Sequence, residues 1–167
     1  MLVVAEATPA DRPALVALLA EMAGFYAERR DATTLAGAAE ALTTPAGRAG
    51  PFCLLARRGG DPAGLVSLSG FFPAFDFTWG LLLKDIFVAE AARGSGAARA
   101  LMRAAMRFAT DRGYSRVDWT TDGGNARARG FYAGLGVAPA DKIFYRLADT
   151  ALAAAGAGDW PAPRDTP

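Results

Sequence analysis

Apolar and polar positions fall into blocks along this chain, and each block has either the length of a strand or the period of a helix. Residues 1–7 read as a first strand. In Thr8-Pro9-Ala10-Asp11, a threonine N-cap, a proline at the first helical position and an acid in the first turn predict a helix start. Leu15, Leu18, Leu19, Met22, Phe25 and Tyr26 then recur at spacings of three and four. That stripe reads as core, and its terminal aromatics also suit the wall of a pocket. Residues 33–42 predict a second, Ala-rich helix, ended by Thr44-Pro45 and a loop through Pro51. Residues 52–58 and 63–69 predict an antiparallel hairpin across Gly59-Gly60-Asp61-Pro62. Residues 70–80 form an aromatic loop around Pro73, suited to covering a substrate site, packing on the core or meeting a second subunit.

The rest of the chain is organised around residues 81–102. An apolar run of strand length passes through Arg93-Gly94-Ser95-Gly96 and continues at once into an Ala/Leu/Met-rich helical pattern. The first amides of a helix have no partner within it, and the helix dipole puts partial positive charge there, so a loop of this kind can hold a phosphate. The helix runs to Gly113, a C-cap glycine; residues 116–121 predict a strand, ended by Asp122-Gly123-Gly124. Asn125 caps a helix over 126–135, and residues 142–147 predict a last strand. The tail beyond residue 151 is rich in Ala, Gly and Pro and is expected to be poorly ordered from about Trp160. The order of elements predicts one domain, a mixed α/β layer over residues 1–155, with residues 156–167 as a tail.

Composition narrows the chemistry. With 18 basic and 17 acidic side chains among 167 residues and a net charge of +1, nothing points to nucleic acid or an anionic membrane. There is no histidine, which removes Ser-His-Asp triads, histidine bases and most catalytic zinc sites. The single cysteine, Cys53, reads as a small core residue and has no internal disulfide partner. No apolar run reaches the length of about 18 residues that spans a membrane. A cytoplasmic protein is expected.

Arg93-Gly94-Ser95-Gly96-Ala97-Ala98, after the strand Asp85-Ile86-Phe87-Val88, resembles the Arg/Gln-x-x-Gly-x-Gly/Ala signature of the GNAT superfamily of N-acetyltransferases. Asn125 with Phe131-Tyr132-Ala133-Gly134-Leu135-Gly136 resembles the family's second signature. The resemblance extends over residues 1 to about 150, and the Phe-rich loop and the late Lys-x-x-x-Tyr-Arg-Leu segment look like the diamine acetyltransferase branch. It implies a mainly antiparallel mixed sheet flanked by helices on both faces, and acetyl-CoA as cosubstrate, with no metal. It further implies a small-molecule or peptide amine as acceptor, and a homodimer is compatible with it.

The implied donor site is the loop and helix start Gly94, Ser95, Gly96, Ala97, Ala98 and Arg99, with Arg93 and Arg99 for charge-assisted bonds to the pyrophosphate. The family's strand before the loop splays from its neighbour, so the run Ile86, Phe87, Val88 would offer backbone groups to the pantetheine. Tyr132 is expected to protonate the departing thiolate, unless it only packs on the sheet. Asn125 suits either a helix N-cap or a bond to the cofactor. The diamine branch carries Glu-Asp where this chain has Lys84-Asp85, and neighbouring residues on a regular strand point to opposite faces. Asp85 is therefore either the candidate base, in place of an ordered water, or a structural hydrogen-bonder, while Lys84 is solvated or, facing the pocket, disfavours a polyamine acceptor. Asp76, Asp118 and Trp119 suit either structural or substrate contacts. Two other readings remain: a non-catalytic acyl-CoA-binding module, motivated by Lys84, and a nucleotide-binding protein, disfavoured because Gly94-x-Gly96-x-x-Arg99 lacks the third glycine of a dinucleotide fingerprint.

Overall fold

A computed structural model of the chain describes residues 1–74 and 76–161. Phe75 of the aromatic loop and residues 162–167 of the expected tail lie outside the described residues. Two compact units are present, Met1–Thr121 and Asp122–Pro167.

The first unit is a five-stranded sheet in the order β1 (Leu2–Glu6), β2 (Phe52–Arg58), β3 (Asp61–Phe71), β4 (Gly80–Val88), β5 (Val117–Trp119). The first three pairings are antiparallel and the last is parallel. Three helices complete the unit: α1 (Arg12–Phe25), α2 (Ala32–Ala41) and α3 (Ala97–Asp111). Register shows which face each covers. Cys53, Ser67 and Asp85 stand in one row across β2, β3 and β4, and Leu55, Leu65 and Phe87 in the next row on the same face. Phe87 meets Phe25 of α1 there, ring centres 6.5 Å apart. Phe52, Leu68 and Leu83 share the opposite face, where Phe52 packs 4.9 Å from Phe108 of α3. Helices therefore cover both faces of a mixed sheet, as the family resemblance implies.

Local signals explain most boundaries. The Thr8 amide and hydroxyl both donate to Asp11 Oδ2, at 2.8 and 2.9 Å, closing the predicted cap over a short 3-10 turn before α1. Arg57 Nη2 adds a 2.7 Å ion pair to the same carboxylate, whose pKa lies below the ordinary value because of these bonds. Gly113 (φ +68) ends α3, with Tyr114 N–H donating to Ala109 O at 2.9 Å and Gly113 N–H to Thr110 O at 3.2 Å, a paired C-cap that only a residue free to take positive φ allows at no cost. Cys53 is fully buried, and burial pushes its thiol pKa up to about 12, so it is the inert core residue that was expected. The stripe on α1 is core only through Leu19; Phe25 and Tyr26 are exposed.

The second unit contains α4 (Ala126–Ala133) and α5 (Asp149–Gly156). The strand expected over residues 142–147 is absent. A strand exists only through its ladder, and among the described residues this unit has no other strand to pair with; Ile143, Phe144 and Tyr145 are exposed. Helix α5 falls where the sequence suggested the approach to a tail, and its Ala-rich composition accounts for it. No helix among the described residues is long and apolar enough to cross a membrane.

Candidate active site

Strand β4 does two things at once. Ser67 of β3 pairs with Asp85, but Leu68 pairs with Leu83, so Lys84 is an extra residue without a partner across the ladder. Such a bulge bends its strand and increases the local twist. On the other side, β5 pairs with β4 only over Leu81, Leu82 and Leu83, opposite Val117, Asp118 and Trp119. From Asp85 to Val88, β4 runs on after the ladder with β5 has ended.

The direction of the exposed edge follows from the register. Leu81 donates its N–H to Arg116 O at 2.9 Å, so its amide faces the β5 side. Leu81, Leu83, Ile86 and Val88 pair with Gly70, Leu68, Val66 and Gly64, residues of one parity on β3, and so share one face. In a strand, side-chain face and amide direction alternate together. The amides of Ile86 and Val88 therefore point to the same edge as that of Leu81, beyond the end of the β4–β5 ladder. Gly64 keeps this part of the sheet tight: a Cβ there would lie 2.4 Å from Phe87 O.

The glycine loop follows directly. A 3-10 turn over Glu90–Ala92 is tied to α1, because Glu90 N–H donates to Glu21 Oε1 at 2.7 Å. Ser95 is used up within the turn, its amide and hydroxyl both donating to Ala92 O at 3.2 and 2.6 Å. Gly94 and Gly96 have φ of +78 and +85, and a Cβ on either would meet nothing within 4 Å. The positive φ favours glycine at both positions, and the space beside them is open. The first bond into α3 is Ala100 N–H to Gly96 O at 3.0 Å, so the amides of Ala97, Ala98 and Arg99 precede the helical ladder.

The predicted side chains differ in what they do. The Arg93 guanidinium lies 5.4 Å from the Phe25 ring centre and 3.8 Å from the Glu90 carboxylate, turned toward α1; Arg99 is exposed on the first turn of α3. Asp85 is half-buried and accepts a 2.9 Å hydrogen bond from Ser67 Oγ, while Lys84 is exposed. Asp76 accepts from the Thr78 hydroxyl and, at 3.3 Å, from Ser115 Oγ; bonds from Thr78 hold its pKa below the ordinary value. Asp118 takes the Arg116 guanidinium at 3.0 Å. Both carboxylates have structural partners.

The structure therefore brings Asp85, Ile86, Phe87, Val88 and residues 93–99 together along one strand, loop and helix start. Asn125 and Tyr132 belong to the second unit. Asn125 Oδ1 accepts from Ala128 N–H at 3.0 Å, the N-cap of α4, and Tyr132 is half-buried with its ring 5.4 Å from that of Phe131. Sequence reasoning missed Ser67 and Glu21. A lone serine inside the apolar run Leu65-Val66-Ser67-Leu68 was the available signal for the first; nothing local marked the second.

The family profile described as "Acetyltransferase (GNAT) family" matches residues 15–137. Among solved structures, an integron cassette protein from the mobile metagenome of V. cholerae is 23% identical with a TM-score of 0.82, over 93% of this chain and 97% of its own. A ribosomal-protein-alanine N-acetyltransferase from Brucella melitensis is 24% identical with a TM-score of 0.75, over 89% and 99%. An aminoglycoside N-acetyltransferase in complex with CoA is 19% identical with a TM-score of 0.73, over 88% and 95%. At these identities the likeness shows the fold. No curated protein matches the chain significantly.

Proposed function

The chain belongs to the GNAT acetyltransferase family, and from that premise we propose that it transfers an acetyl group from acetyl-CoA to a primary amine by direct attack. The observation that carries this reading is the continuity of the open β4 edge with the glycine loop: outward amides at Ile86 and Val88 lead to the loop amides and to the start of α3. One extended ligand with amide groups at one end and a pyrophosphate at the other matches that series of donors. Open space beside Gly94 and Gly96 supports the fit.

Acetyl-CoA supplies the acetyl group as a thioester, whose C–S bond breaks as the new C–N bond forms. The chain's residues have three tasks in this reading. Ile86, Val88 and the amides of Gly94, Gly96, Ala97 and Ala98 hold and orient the donor. Asp85 takes one proton from the acceptor ammonium, freeing the nitrogen lone pair. Tyr132 gives one proton to the sulfur and is reprotonated by the second proton that the nitrogen loses as the neutral amide forms; that role rests on the second sequence signature. The buried, protonated Cys53 offers no support for an acyl-enzyme.

Thermal unfolding with saturating acetyl-CoA, and with ATP and NAD as controls, tests the donor site. At about 100 times the dissociation constant the folded state gains about 2.7 kcal/mol, equivalent to a Tm rise of roughly 5–11 °C at this chain length. A rise with ATP or NAD alone would favour a nucleotide-binding protein. Mass spectrometry then identifies the acceptor from a panel of spermidine, lysine, an alanyl peptide and kanamycin; binding without any acetylated product would favour the non-catalytic module.

The edge itself has a separate test. Ile86→Pro removes one outward N–H and spares the β3 ladder, a substitution that edge strands tolerate. Acetyl-CoA affinity should fall about 3- to 10-fold, the value of one hydrogen bond. Unchanged affinity in a folded variant would show that the donor does not use this edge.

A further inference from the structure

We propose that Ser67 is a positioning residue for the reaction, holding the Asp85 carboxylate in the orientation from which it accepts the acceptor's proton. The inference rests on the proposed function. Ser67 is buried on β3, between Val66 and Leu68, both fully buried. Its hydroxyl donates to Asp85 Oδ2 at 2.9 Å. Among the described residues Asp85 Oδ1 has no hydrogen-bond donor, which leaves that oxygen for an incoming ammonium.

The location of the pair gives the bond its purpose. Asp85 is the first residue after the Lys84 bulge, where the strand bends and side chains are re-aimed. A short carboxylate on a bent strand has two χ angles to settle, and a cross-strand hydroxyl fixes both by holding one oxygen. The third member of the row, Cys53, is a neutral thiol and brings no charge to compete with the carboxylate. The neighbours of Ser67 in the strand, Val66 and Leu68, are apolar, and the group that its hydroxyl meets is the Asp85 carboxylate, which an alanine at 67 would leave without that donor.

The test compares the wild type with Ser67→Ala, Ser67→Thr, Asp85→Asn and the Ser67→Ala/Asp85→Asn double variant. Protein labelled with ¹³C at aspartate carboxyl carbons gives a readout independent of turnover; the Asp85 resonance is assigned by its loss in Asp85→Asn. It should shift in Ser67→Ala and return in Ser67→Thr, which keeps the hydroxyl. With the panel amine that the wild type acetylates fastest, Ser67→Ala should lower kcat about tenfold with KM for acetyl-CoA unchanged. In the Asp85→Asn background the same substitution should have no further effect, because a residue that acts through another is not additive with it.

Full kcat in Ser67→Ala, an unmoved resonance, or an equal loss in the Asp85→Asn background would each overturn the inference while leaving the acetyltransferase reading intact. Wild-type turnover in Asp85→Asn would remove the proposed base, and the role of Ser67 with it. Failure of the wild type to bind acetyl-CoA would end the proposed function itself.

Discussion

Gly96→Asp should lower acetyl-CoA affinity more than 100-fold while the protein remains folded. Position 96 has φ +85, and a Cβ there meets nothing within 4 Å, so an aspartate side chain has room and extends into the open space beside the loop. Asp tolerates the left-handed region better than most residues, which keeps the backbone cost to about 1–2 kcal/mol. The effect on binding is larger. A carboxylate about 5 Å from one pyrophosphate charge costs about 3 kcal/mol at an effective dielectric of 20, which is more than 100-fold. Gly96→Asn has nearly the same shape and backbone preference without the charge, and should retain most of the affinity. Isothermal titration of both variants separates the two causes. Equal losses would mean that the backbone is responsible and no anion binds beside residue 96; no loss in either would place the pyrophosphate elsewhere.

Most of this region was legible because its signals are local. The apolar run, the two glycines and the Ala-rich helical pattern lie next to one another in sequence, so strand, loop and helix start were read together. Residues 116–121 show the limit: the pattern predicted six strand residues, and only Val117–Trp119 pair. The parallel strand leaves its neighbour where β4 bulges: Trp119 pairs with Leu83, the residue before the bulge at Lys84, and no propensity at residues 120 and 121 encodes that. The same holds for Ser67 and Asp85, which are 18 positions apart and meet only through the hairpin register. Residues 142–147 have the β-branched and aromatic character of a strand, but that character describes a half-buried surface rather than a backbone preference. Without a ladder partner among the described residues of its unit, the segment forms none. The Lys84-Asp85 dipeptide was read as two side chains on opposite faces of a regular strand; the bulge makes that alternation fail at the position where the chemistry needs it to be known.

Tyr132→Phe is expected to lower kcat by about 100-fold or more, the usual contribution of a positioned proton donor, with acetyl-CoA affinity and Tm unchanged. A thiolate leaving a tetrahedral carbon is stabilised by protonation, and the chain has no histidine to supply the proton. Its one thiol is buried with its pKa pushed up to about 12. The proposed function, resting on the second signature, gives that role to the phenol of Tyr132. The substitution removes a single oxygen, so the ring contact with Phe131 survives and a loss of turnover reports the hydroxyl. The helix itself is controlled by Asn125→Ala, which removes the cap on Ala128 N–H and should cost about 0.5–2 kcal/mol of stability without the same selective effect on kcat. Slow product release would hide a defect in the chemical step, so single-turnover measurements under saturating acceptor are the decisive form. Full single-turnover rates in Tyr132→Phe would show that solvent protonates the sulfur, and α4 would then contribute no group to the chemistry.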